Sequence, residues 1–367
     1  MIRKRVLFIV PAFTGGAGGA ERVISTILRH LDRNGLECHL ANMQWGTEFL
    51  QDVPKDVVIH ALGVSRMRYA IPPLVRLVRR LKPHTIVSTV AYVNVLLILA
   101  RPFLPRGTRL VIREATSPGA FLKHEAGNPA LWKFFYRRVY RHADRIVCLS
   151  DAMLREFRHR FRIPGEKLVR IYNPVDEASL RDYAAAAANP YAGEGPHIVA
   201  AGRLRREKGF DVLIDAFALL RREMPGAQVT ILGEGPEEPA LRKQVATLGL
   251  DSAVHLAGFQ QNPFSYFAHA DLFVLPSRLE GMPNALLEAL ALGTPVVAAE
   301  CVEAIRELQA LDERIVTAPP EDPKALADAM VSVLQQTKAP RAAYRPGQGT
   351  LRVFDPAEIA SRYKMLF

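Results

Sequence analysis

The sequence predicts an α/β protein made of two Rossmann-like, doubly wound domains in series. Short apolar runs rich in β-branched residues alternate with longer helical patterns, which is typical of a parallel sheet covered by helices. The alternation stops at an Ala-, Pro- and Gly-bearing stretch, 182–196, and then starts again. The chain has 367 residues, enough for two full hydrophobic cores.

The elements follow in order along the chain. In the first half, strands are predicted at 5–10, 37–44, 84–90, 109–114 and 145–150, and helical segments include 20–33, 71–82 and 128–142. In the second half, strands are predicted at 197–202, 228–233, 253–258, 272–277 and 295–300, again with helices between them. A Pro/Gly/Arg-rich stretch, 339–350, precedes a last helix at 355–367. We therefore expect a first domain at 1–185, to which the helix 354–367 returns, and a second domain at 190–345.

The charge is distributed unevenly along the chain, which bears on the kind of partner that the protein binds. The net charge is +11, but residues 1–185 carry 30 Lys and Arg against 15 Asp and Glu, whereas residues 186–367 carry 18 against 22. A basic half indicates an anionic partner such as a phosphate-bearing substrate, an anionic lipid surface or a nucleic acid, or else simply a solvated basic face. The three cysteines are scattered in apolar segments, as in a reduced cytosolic protein.

Two features of the first hundred residues need a choice between alternatives. The start resembles a secretion signal, but RVLFIV running into glycines also fits a first buried strand and its turn, which we favour. The apolar run VNVLLILA is far shorter than the ~20 residues of a membrane span.

The segment GGAGGAE, 15–21, follows the first strand and opens a helix. Glycines such as Gly16 and Gly18 let backbone N–H groups approach an anion at a helix N-terminus. The segment does not have the glycine spacing of a dinucleotide-binding loop, because Glu21 stands where the third glycine is required. A phosphate or acceptor loop is our prediction, and a structural turn is the alternative.

The second domain opens with two cations at a strand end. The strand closes at Gly202, Arg203 follows on the loop, and Lys208 stands just before a helix. A guanidinium fork and an ammonium point charge together suit a diphosphate.

The segment LEGMPNALLEALALGTPVVA, 279–298, carries two glutamates separated by seven residues. Pro283 suits the first helical position and Gly293 the cap beyond the helix. Glu288 lies on an otherwise apolar helix, where a carboxylate requires partners. We expect it on a cleft wall, accepting hydrogen bonds from hydroxyl groups; an ion pair with an arginine is the alternative. Glu280 precedes the helix, whose N-terminus offers free N–H groups.

With these residues in view, the chain resembles the retaining glycosyltransferases of the GT-B fold, family 4. The resemblance spans nearly the whole length. The most specific segment is the E-x7-E run with its Gly-Thr-Pro-Val tail, in step with the upstream GRLRREKG, and LSDAM, YNPVD, LGEGP and GFQQNP support it. It implies two domains facing each other across a cleft that binds an acceptor and a nucleotide-diphosphate sugar. A UDP-sugar is favoured over a GDP-sugar as the donor.

The resemblance also implies roles for single residues. Arg203 and Lys208 neutralise the donor diphosphate, Glu280 contacts the transferred sugar, and Glu288 binds the ribose hydroxyls. The remaining donor-binding residues carried over are glycines or lie in backbone-read segments: Gly16, Gly18, Gly202, Gly235, Phe259, Gly281, Met282, Pro283 and Asn284. No cofactor and no metal are expected, since family members are metal-independent and the chain has no Asp-x-Asp.

One departure from the family concerns the strand end VIREATSP, 111–118. Many members carry a His there, and this chain has none. Glu114 matches the glutamate of a related Ser-Glu-Arg-Asn-like segment, found in relatives that elongate lipid-linked or surface oligosaccharides, but Ala115 and Thr116 do not match the Arg and Asn. We expect Glu114 to contact the acceptor or act as a base, with a structural role as the alternative.

The resemblance therefore implies a retaining, metal-independent glycosyltransferase of bacterial surface glycan assembly, acting on a glycan or a polyprenyl-diphosphate-linked acceptor in the cytoplasm. The aromatic and basic helix 131–145 could contact the inner face of an anionic membrane, or simply cover the sheet. The alternatives are a GT-B nucleotide-sugar epimerase, a nucleic-acid-binding module, which we do not expect because the aromatics have core-like spacing, and an inactive transferase.

Overall fold

The computed structural model describes residues 3–11, 19–43, 53–64, 69–124, 126–336 and 350–367. It divides into two compact units, 1–174 with 353–367, and 175–352. Each unit is a parallel sheet covered by helices, so the predicted fold class is confirmed.

The first unit is built on a seven-stranded sheet of order β3-β2-β1-β4-β5-β6-β7. Its strands are β1 Lys4–Val10, β2 Leu36–Asn42, β3 Val58–Ala61, β4 Thr85–Thr89, β5 Arg109–Arg113, β6 Arg145–Cys148 and β7 Leu168–Arg170. Its helices are α1 Gly19–His30, α2 Ile71–Leu81, α3 Ala91–Leu99, α4 Pro118–His124, α5 Pro129–Phe134 and α6 Asp151–His159, with short 3₁₀ turns at Arg101–Phe103, Tyr140–His142 and Gly165–Lys167. All strand pairs are parallel.

The second unit is built on a six-stranded parallel sheet of order β10-β9-β8-β11-β12-β13. Its strands are β8 His197–Ala201, β9 Gln228–Leu232, β10 Val254–Leu256, β11 Leu272–Leu275, β12 Val296–Ala299 and β13 Ile315–Ala318. Its helices are α7 Glu177–Ala185, α8 Phe210–Glu223, α9 Glu238–Thr247, α10 Phe264–His269, α11 Asn284–Ala291, α12 Glu303–Leu311 and α13 Pro323–Gln336, with a 3₁₀ turn at Arg206–Lys208. Helices α8 and α13 pack their apolar faces on the sheet to form the core.

The chain returns to the first unit at its end. A 3₁₀ turn at Thr350–Phe354 leads into α14, Pro356–Lys364. Phe354 packs its ring against Tyr172, 5.1 Å between centroids, and Lys364 pairs with Asp32 at the end of α1. The predicted return of the last helix is therefore confirmed, while the preceding stretch 339–350 lies almost wholly outside the described residues.

The boundary between the units differs from the expected one. The first unit ends at Pro174, not at 185, because α7 packs against α10 and α11 of the second unit. Asn262 fixes this arrangement with a 2.7 Å hydrogen bond from its side-chain amide to the carbonyl of Tyr183. The Ala-rich stretch that the sequence suggested as a linker therefore begins inside a packed helix.

Three strands were not predicted: β3, β7 and β13. Each is an edge strand of only three or four residues, and at least half of the side chains in each are partly or wholly exposed, so none produces the longer continuous apolar run of a central strand. The helix predicted at 128–142 is likewise not one regular α-helix, because α5 passes into a π-helical turn, Phe135–Val139, and then a 3₁₀ turn.

Candidate functional site

The predicted donor-binding residues of the second unit lie at one edge of its sheet. Because all six strands are parallel, the loops that follow them emerge at the same, carboxyl edge. The strand order reverses between β8 and β11, and open α/β sheets bind ligands at this switch point. The loop after β8 carries Arg203 and Lys208, and the loop after β11 carries Glu280. The topology therefore brings together cations and a carboxylate that are about 70 positions apart in sequence.

Lys208 and Glu280 form a direct ion pair at this switch point. The Nζ atom of Lys208 lies 2.7 Å from Oε1 of Glu280. The hydroxyl of Ser277 donates to the same oxygen, also over 2.7 Å. Glu280 is 8% exposed and the side chain of Lys208 is 22% exposed. The carboxylate is thus held in a fixed position, and the ammonium group keeps a side that faces solvent.

Two glycines flank Lys208 in the loop after β8, and the first of those described here, Gly209, is required by its conformation. Gly209 has a φ of +67°, and a Cβ there would lie 2.0 Å from the carbonyl oxygen of Pro276. Gly202 lies against the stem of Lys208, since a Cβ at this position would contact the Cγ and Cδ atoms of the lysine at 3.5 Å. The first glycine permits the sharp turn before α8, and the second gives the lysine a surface to lie on.

The loop after β9, which carries Gly235, contacts the loop after β8 through its backbone. A Cβ at Gly235 would lie 2.3 Å from the carbonyl oxygen of Leu204. The amide of Leu204 donates in turn to the carbonyl of Glu234, 2.8 Å. Phe259 follows β10 and is 47% exposed, with its amide 3.4 Å from the carboxylate of Glu234. These residues form a backbone-lined segment of the edge with one exposed aromatic ring.

Helix α11 begins one residue later than expected. Pro283 is the N-cap residue, with φ −79° and ψ 94°, and its side chain caps no N–H group. The first N–H groups of a helix have no partner within the helix, so this end can accept an anion. Gly281 and Met282 are buried just before it, and Asn284 starts the helix half-buried.

Glu288 lies one turn further along α11. Its side chain is half-buried, whereas its neighbours Leu287 and Ala289 are fully buried. The helix ends at Ala291, and Gly293 follows with φ +88°, as the sequence predicts for a residue beyond the helix end. Glu288 therefore lies on the partly open face of an otherwise buried helix.

The remaining cation, Arg203, is exposed on the loop after β8. Cys301 follows β12 near the Lys208–Glu280 pair. Burial, reinforced by the nearby charge of Glu280, raises the pKa of the Cys301 thiol to about 12. A thiol that is protonated at neutral pH is a poor nucleophile, so we do not expect Cys301 to act as one.

Sequence reasoning missed two residues of this edge, Ser277 and Arg278. Both stand immediately before the segment 279–298, but neither residue type is unusual in a loop. Ser277 hydrogen-bonds Glu280 as described, and Arg278 makes two ion pairs, to Asp211 and Glu321, with its side chain only 10% exposed. The sequence feature that could have revealed them is their position immediately beyond a buried strand.

In the first unit, Glu114 follows β5 and is buried, 1% exposed. The hydroxyl of Tyr140 donates to its carboxylate over 2.5 Å, and burial together with the Glu114 charge raises the pKa of Tyr140 well above its usual value. The adjacent Arg113, also 1% exposed, donates to Thr89 and Asn173. A buried polar network at the strand ends is therefore enough to account for a carboxylate at position 114 even if it contacts no acceptor. The catalytic role of Glu114 stays a prediction.

The predicted glycine loop of the first unit lies outside the described residues. Gly16 and Gly18 fall in 12–18, which the structure does not describe. Within the described ranges, no three His, Cys, Asp or Glu side chains come together in a way that could hold a metal ion. In the same ranges, no helix has the length and apolar character needed to cross a bilayer.

Comparison with known families covers both units. The family model described as Glycosyltransferase Family 4 matches residues 17–179, and the model described as Glycosyl transferases group 1 matches residues 195–336. These two ranges span most of each unit and include every predicted donor-binding residue of the switch point.

Among characterised relatives, the chain is 29% identical over 370 residues to a Campylobacter jejuni enzyme, with 98% of each chain covered. That protein is the N-acetylgalactosamine-N,N'-diacetylbacillosaminyl-diphospho-undecaprenol 4-alpha-N-acetylgalactosaminyltransferase. A lipopolysaccharide core biosynthesis glycosyltransferase of Rhizobium meliloti is also 29% identical, over 77% of this chain and 76% of its own.

Solved structures share the fold. Sucrose-phosphate synthase of Thermosynechococcus elongatus superposes with a TM-score of 0.80 at 17% identity, covering 99% of this chain and 98% of its own. HepE of Anabaena, solved in complex with UDP and glucose, superposes with a TM-score of 0.73 at 20% identity, covering 98% and 95%. The fold, the two family models and the full-length relative agree, and the chain belongs to the GT-B glycosyltransferases of family 4.

Proposed function

We propose that this glycosyltransferase moves a sugar from a nucleotide-diphosphate sugar to a hydroxyl group of a glycan or lipid-linked acceptor, with retention at the anomeric carbon. The observation that carries the proposal is the Lys208–Glu280 pair at the switch point of the second sheet, 2.7 Å between Nζ and Oε1. A cation and a carboxylate held side by side suit the diphosphate and the sugar of one donor.

The donor's diphosphate lies, in this proposal, between Lys208, Arg203 and the N-terminal end of α11. Lys208 neutralises the phosphate oxygens as a point charge and Arg203 as a fork, while the uncapped helix end adds N–H groups. These groups stabilise the negative charge that develops on the departing diphosphate. They supply what a divalent cation supplies in other transferases, so we propose that neither metal nor cofactor takes part.

The sugar and ribose contact the two glutamates. Lys208 and Ser277 both contact Oε1 of Glu280, and in this proposal the other oxygen, Oε2, accepts hydrogen bonds from sugar hydroxyls. Glu288, half-buried on the same segment, accepts hydrogen bonds from the ribose hydroxyls. The backbone-lined segment around Gly235 and Phe259 borders the base.

Retention follows from attack on the same face that the diphosphate leaves. The acceptor hydroxyl forms the new bond to the anomeric carbon as the carbon–oxygen bond to the phosphate breaks. The leaving phosphate oxygen takes the acceptor proton, so no side-chain nucleophile is needed.

Relatives support the classes of donor and acceptor. HepE of Anabaena is solved with UDP and with UDP-glucose, which favours a UDP-sugar over a GDP-sugar. The Campylobacter relative acts on a diphospho-undecaprenol-linked saccharide, and the Rhizobium relative belongs to lipopolysaccharide core synthesis. We propose that this chain likewise serves the assembly of a bacterial surface glycan in the cytoplasm, its acceptor bound by the first unit.

The first unit also offers a surface for an anionic membrane. Along the helical stretch 129–142, the exposed side chains include two large apolar residues and several cations: Leu131, Lys133, Phe134, Arg137, Arg138 and Arg141. Apolar side chains flanked by cations bind the headgroup region of anionic bilayers. We propose peripheral attachment through this surface.

Membrane attachment is tested by co-sedimentation with vesicles of phosphatidylglycerol and phosphatidylcholine. Binding should fall with Arg137→Glu/Arg138→Glu, and with phosphatidylcholine alone, but not with the control Arg222→Glu/Lys243→Glu, which changes two exposed cations of the second unit. If both double variants sediment equally with the vesicles, the proposal that this surface binds the membrane is contradicted.

The proposed reaction is tested with a panel of UDP-, GDP- and ADP-sugars. A thermal-shift screen identifies the stabilising donor, because a ligand that binds only the folded state raises the melting temperature. Transfer to a synthetic polyprenyl-diphosphate saccharide is then followed by NMR of the anomeric proton, with and without chelator. An α-linked product from an α-linked donor, unaffected by chelator, is expected. Inversion, full loss of activity with chelator, or an epimerised donor formed without acceptor contradicts the proposal.

A further inference from the structure

Arg278, in the loop after β11, joins three separate segments of the second unit. Its guanidinium group makes a two-pronged contact with Asp211 in the first turn of α8, 2.7 and 2.8 Å. A second two-pronged contact reaches Glu321, just beyond β13, through Nε and Nη2, the latter over 2.9 Å. Arginine has five N–H donors in a fixed plane, and these contacts use four of them.

The fifth donor reaches the turn that carries Lys208. Nη1 of Arg278 donates to the carbonyl oxygen of Arg206 over 2.7 Å. The backbone amide of Arg278 donates to the next carbonyl, that of Glu207, over 2.8 Å. Lys208 follows directly, and Glu280 stands two residues after Arg278. One residue therefore ties the loop of the carboxylate to the loop of the cation.

The electrostatics keep this arrangement rigid. Burial alone would raise the pKa of Asp211, but the hydrogen bonds and the charge of Arg278, together with backbone hydrogen bonds, outweigh it and hold the pKa below its usual value. Hydrogen bonds from Arg278 likewise lower the pKa of Glu321. All three groups are therefore charged at neutral pH. Paired, planar contacts of this kind restrict orientation more than single ones do.

We propose that Arg278 is a positioning residue, which sets the distance between Lys208 and Glu280 and thereby prepares the donor site for the diphosphate. Its guanidinium group faces Asp211, Glu321 and the turn at Arg206, so it acts through the loops and touches no substrate. The inference rests on the proposed donor role of Lys208. A residue displaced by about 1 Å in such a site costs up to about 100-fold in rate.

The test is a double-mutant cycle read as the dissociation constant of UDP, with GDP measured in parallel, by calorimetry. Arg278→Met should weaken binding by about tenfold, and Arg278→Lys, which keeps the charge but not the fork, by less. In the Lys208→Ala background, Arg278→Met should change binding by less than about threefold, because interacting residues are not additive.

The matched control is Arg101→Met. Arg101 also makes a two-pronged contact to an aspartate, Asp144, and donates to a backbone carbonyl, that of His142, but it belongs to the first unit. This variant should lower the melting temperature and leave the dissociation constant unchanged.

The outcomes separate the two proposals. If Lys208→Ala binds UDP and GDP as the unmodified protein does, or neither nucleotide binds at all, the proposed donor site fails and the role of Arg278 fails with it. If Lys208→Ala weakens binding but Arg278→Met does not, or weakens it by the same factor in both backgrounds, only the positioning role is overturned.

Discussion

The ammonium group of Lys208 and the carboxylate of Glu280 lie 2.7 Å apart although 72 positions separate them in sequence. The hydroxyl of Ser277 shares the same carboxylate oxygen. In the absence of donor, each charge is the other's partner. In the proposed mechanism, donor binding replaces part of this contact with phosphate and sugar, so the pair would both stabilise the loops and prepare the site.

Lys208→Ala should reduce transfer far more than stability. We expect about a 100-fold lower turnover, the usual cost of removing one group that stabilises developing charge, and a free energy of unfolding lower by about 1–3 kcal/mol, because Glu280 loses a partner. Steady-state kinetics and urea unfolding measure the two quantities. Exposed Lys243→Ala is the control. The double variant Lys208→Met/Glu280→Gln should recover stability without activity; if activity returns as well, the lysine has no role in transfer.

Gly209→Ala should destabilise the second unit much more than Gly249→Ala. Both glycines have nearly the same φ, +67° and +65°, but only at Gly209 does a Cβ meet backbone, the carbonyl of Pro276 at 2.0 Å. The left-handed conformation alone costs about 1 kcal/mol, which is the expected loss for Gly249→Ala. A loss of about 3 kcal/mol or more is expected for Gly209→Ala, measured by chemical unfolding. Equal losses would mean that the two loops are not in close contact.

The pH dependence of stability should include a contribution from His60, on β3. Burial, together with the neighbouring His39, 3.1 Å between ring nitrogens, lowers the pKa of His60 below 6.5. The unfolded chain therefore takes up a proton first as the pH falls through 6.5, and stability declines from there down to the folded pKa. Urea midpoints at pH 7.5 and 5.5 should differ less in His60→Gln than in the unmodified protein. The exposed control His159→Gln should keep the full difference; an unchanged difference in His60→Gln contradicts the assignment.

Glu114→Gln distinguishes a buried structural role from an acceptor role. Because Tyr140 donates to the buried carboxylate over 2.5 Å, we expect a lower melting temperature and a turnover per folded molecule within about twofold of normal, since hydrogen bonds to charged groups contribute mainly about 1.5–3 kcal/mol of stability. Tyr140→Phe should behave in the same way. A turnover reduced about 100-fold at unchanged melting temperature would instead assign Glu114 to the reaction.

The sequence was sufficient to predict the elements that are buried on both faces. Central strands such as β1 and β8 are continuous apolar runs, and the glutamate in the apolar helix α11 marks the edge of the sheet where the switch point lies. The edge strands β3, β7 and β13 were missed because they are only three or four residues long and at least half of the side chains in each are partly or wholly exposed, which gives no such run. The domain boundary was placed eleven residues late because an Ala-rich composition does not reveal that α7 packs on α10.

Which residues of the site contact each other was harder to predict from the sequence than which residues belong to the site. Lys208 and Glu280 were each predicted to bind donor, but which carboxylate meets which cation depends on how the loops after β8 and β11 approach each other. Arg278 was missed for the same reason: its partners, Asp211 and Glu321, lie 67 and 43 positions away. Contacts of this kind depend on tertiary packing and leave no local pattern.

A crystal structure of the protein with a non-hydrolysable UDP-sugar tests the central claim most directly. The account predicts the diphosphate within hydrogen-bond distance of Lys208 and the N-terminal end of α11, the sugar against Glu280, and the ribose on Glu288. A donor bound at another surface, with Lys208 and Glu280 still closed on each other, would contradict it.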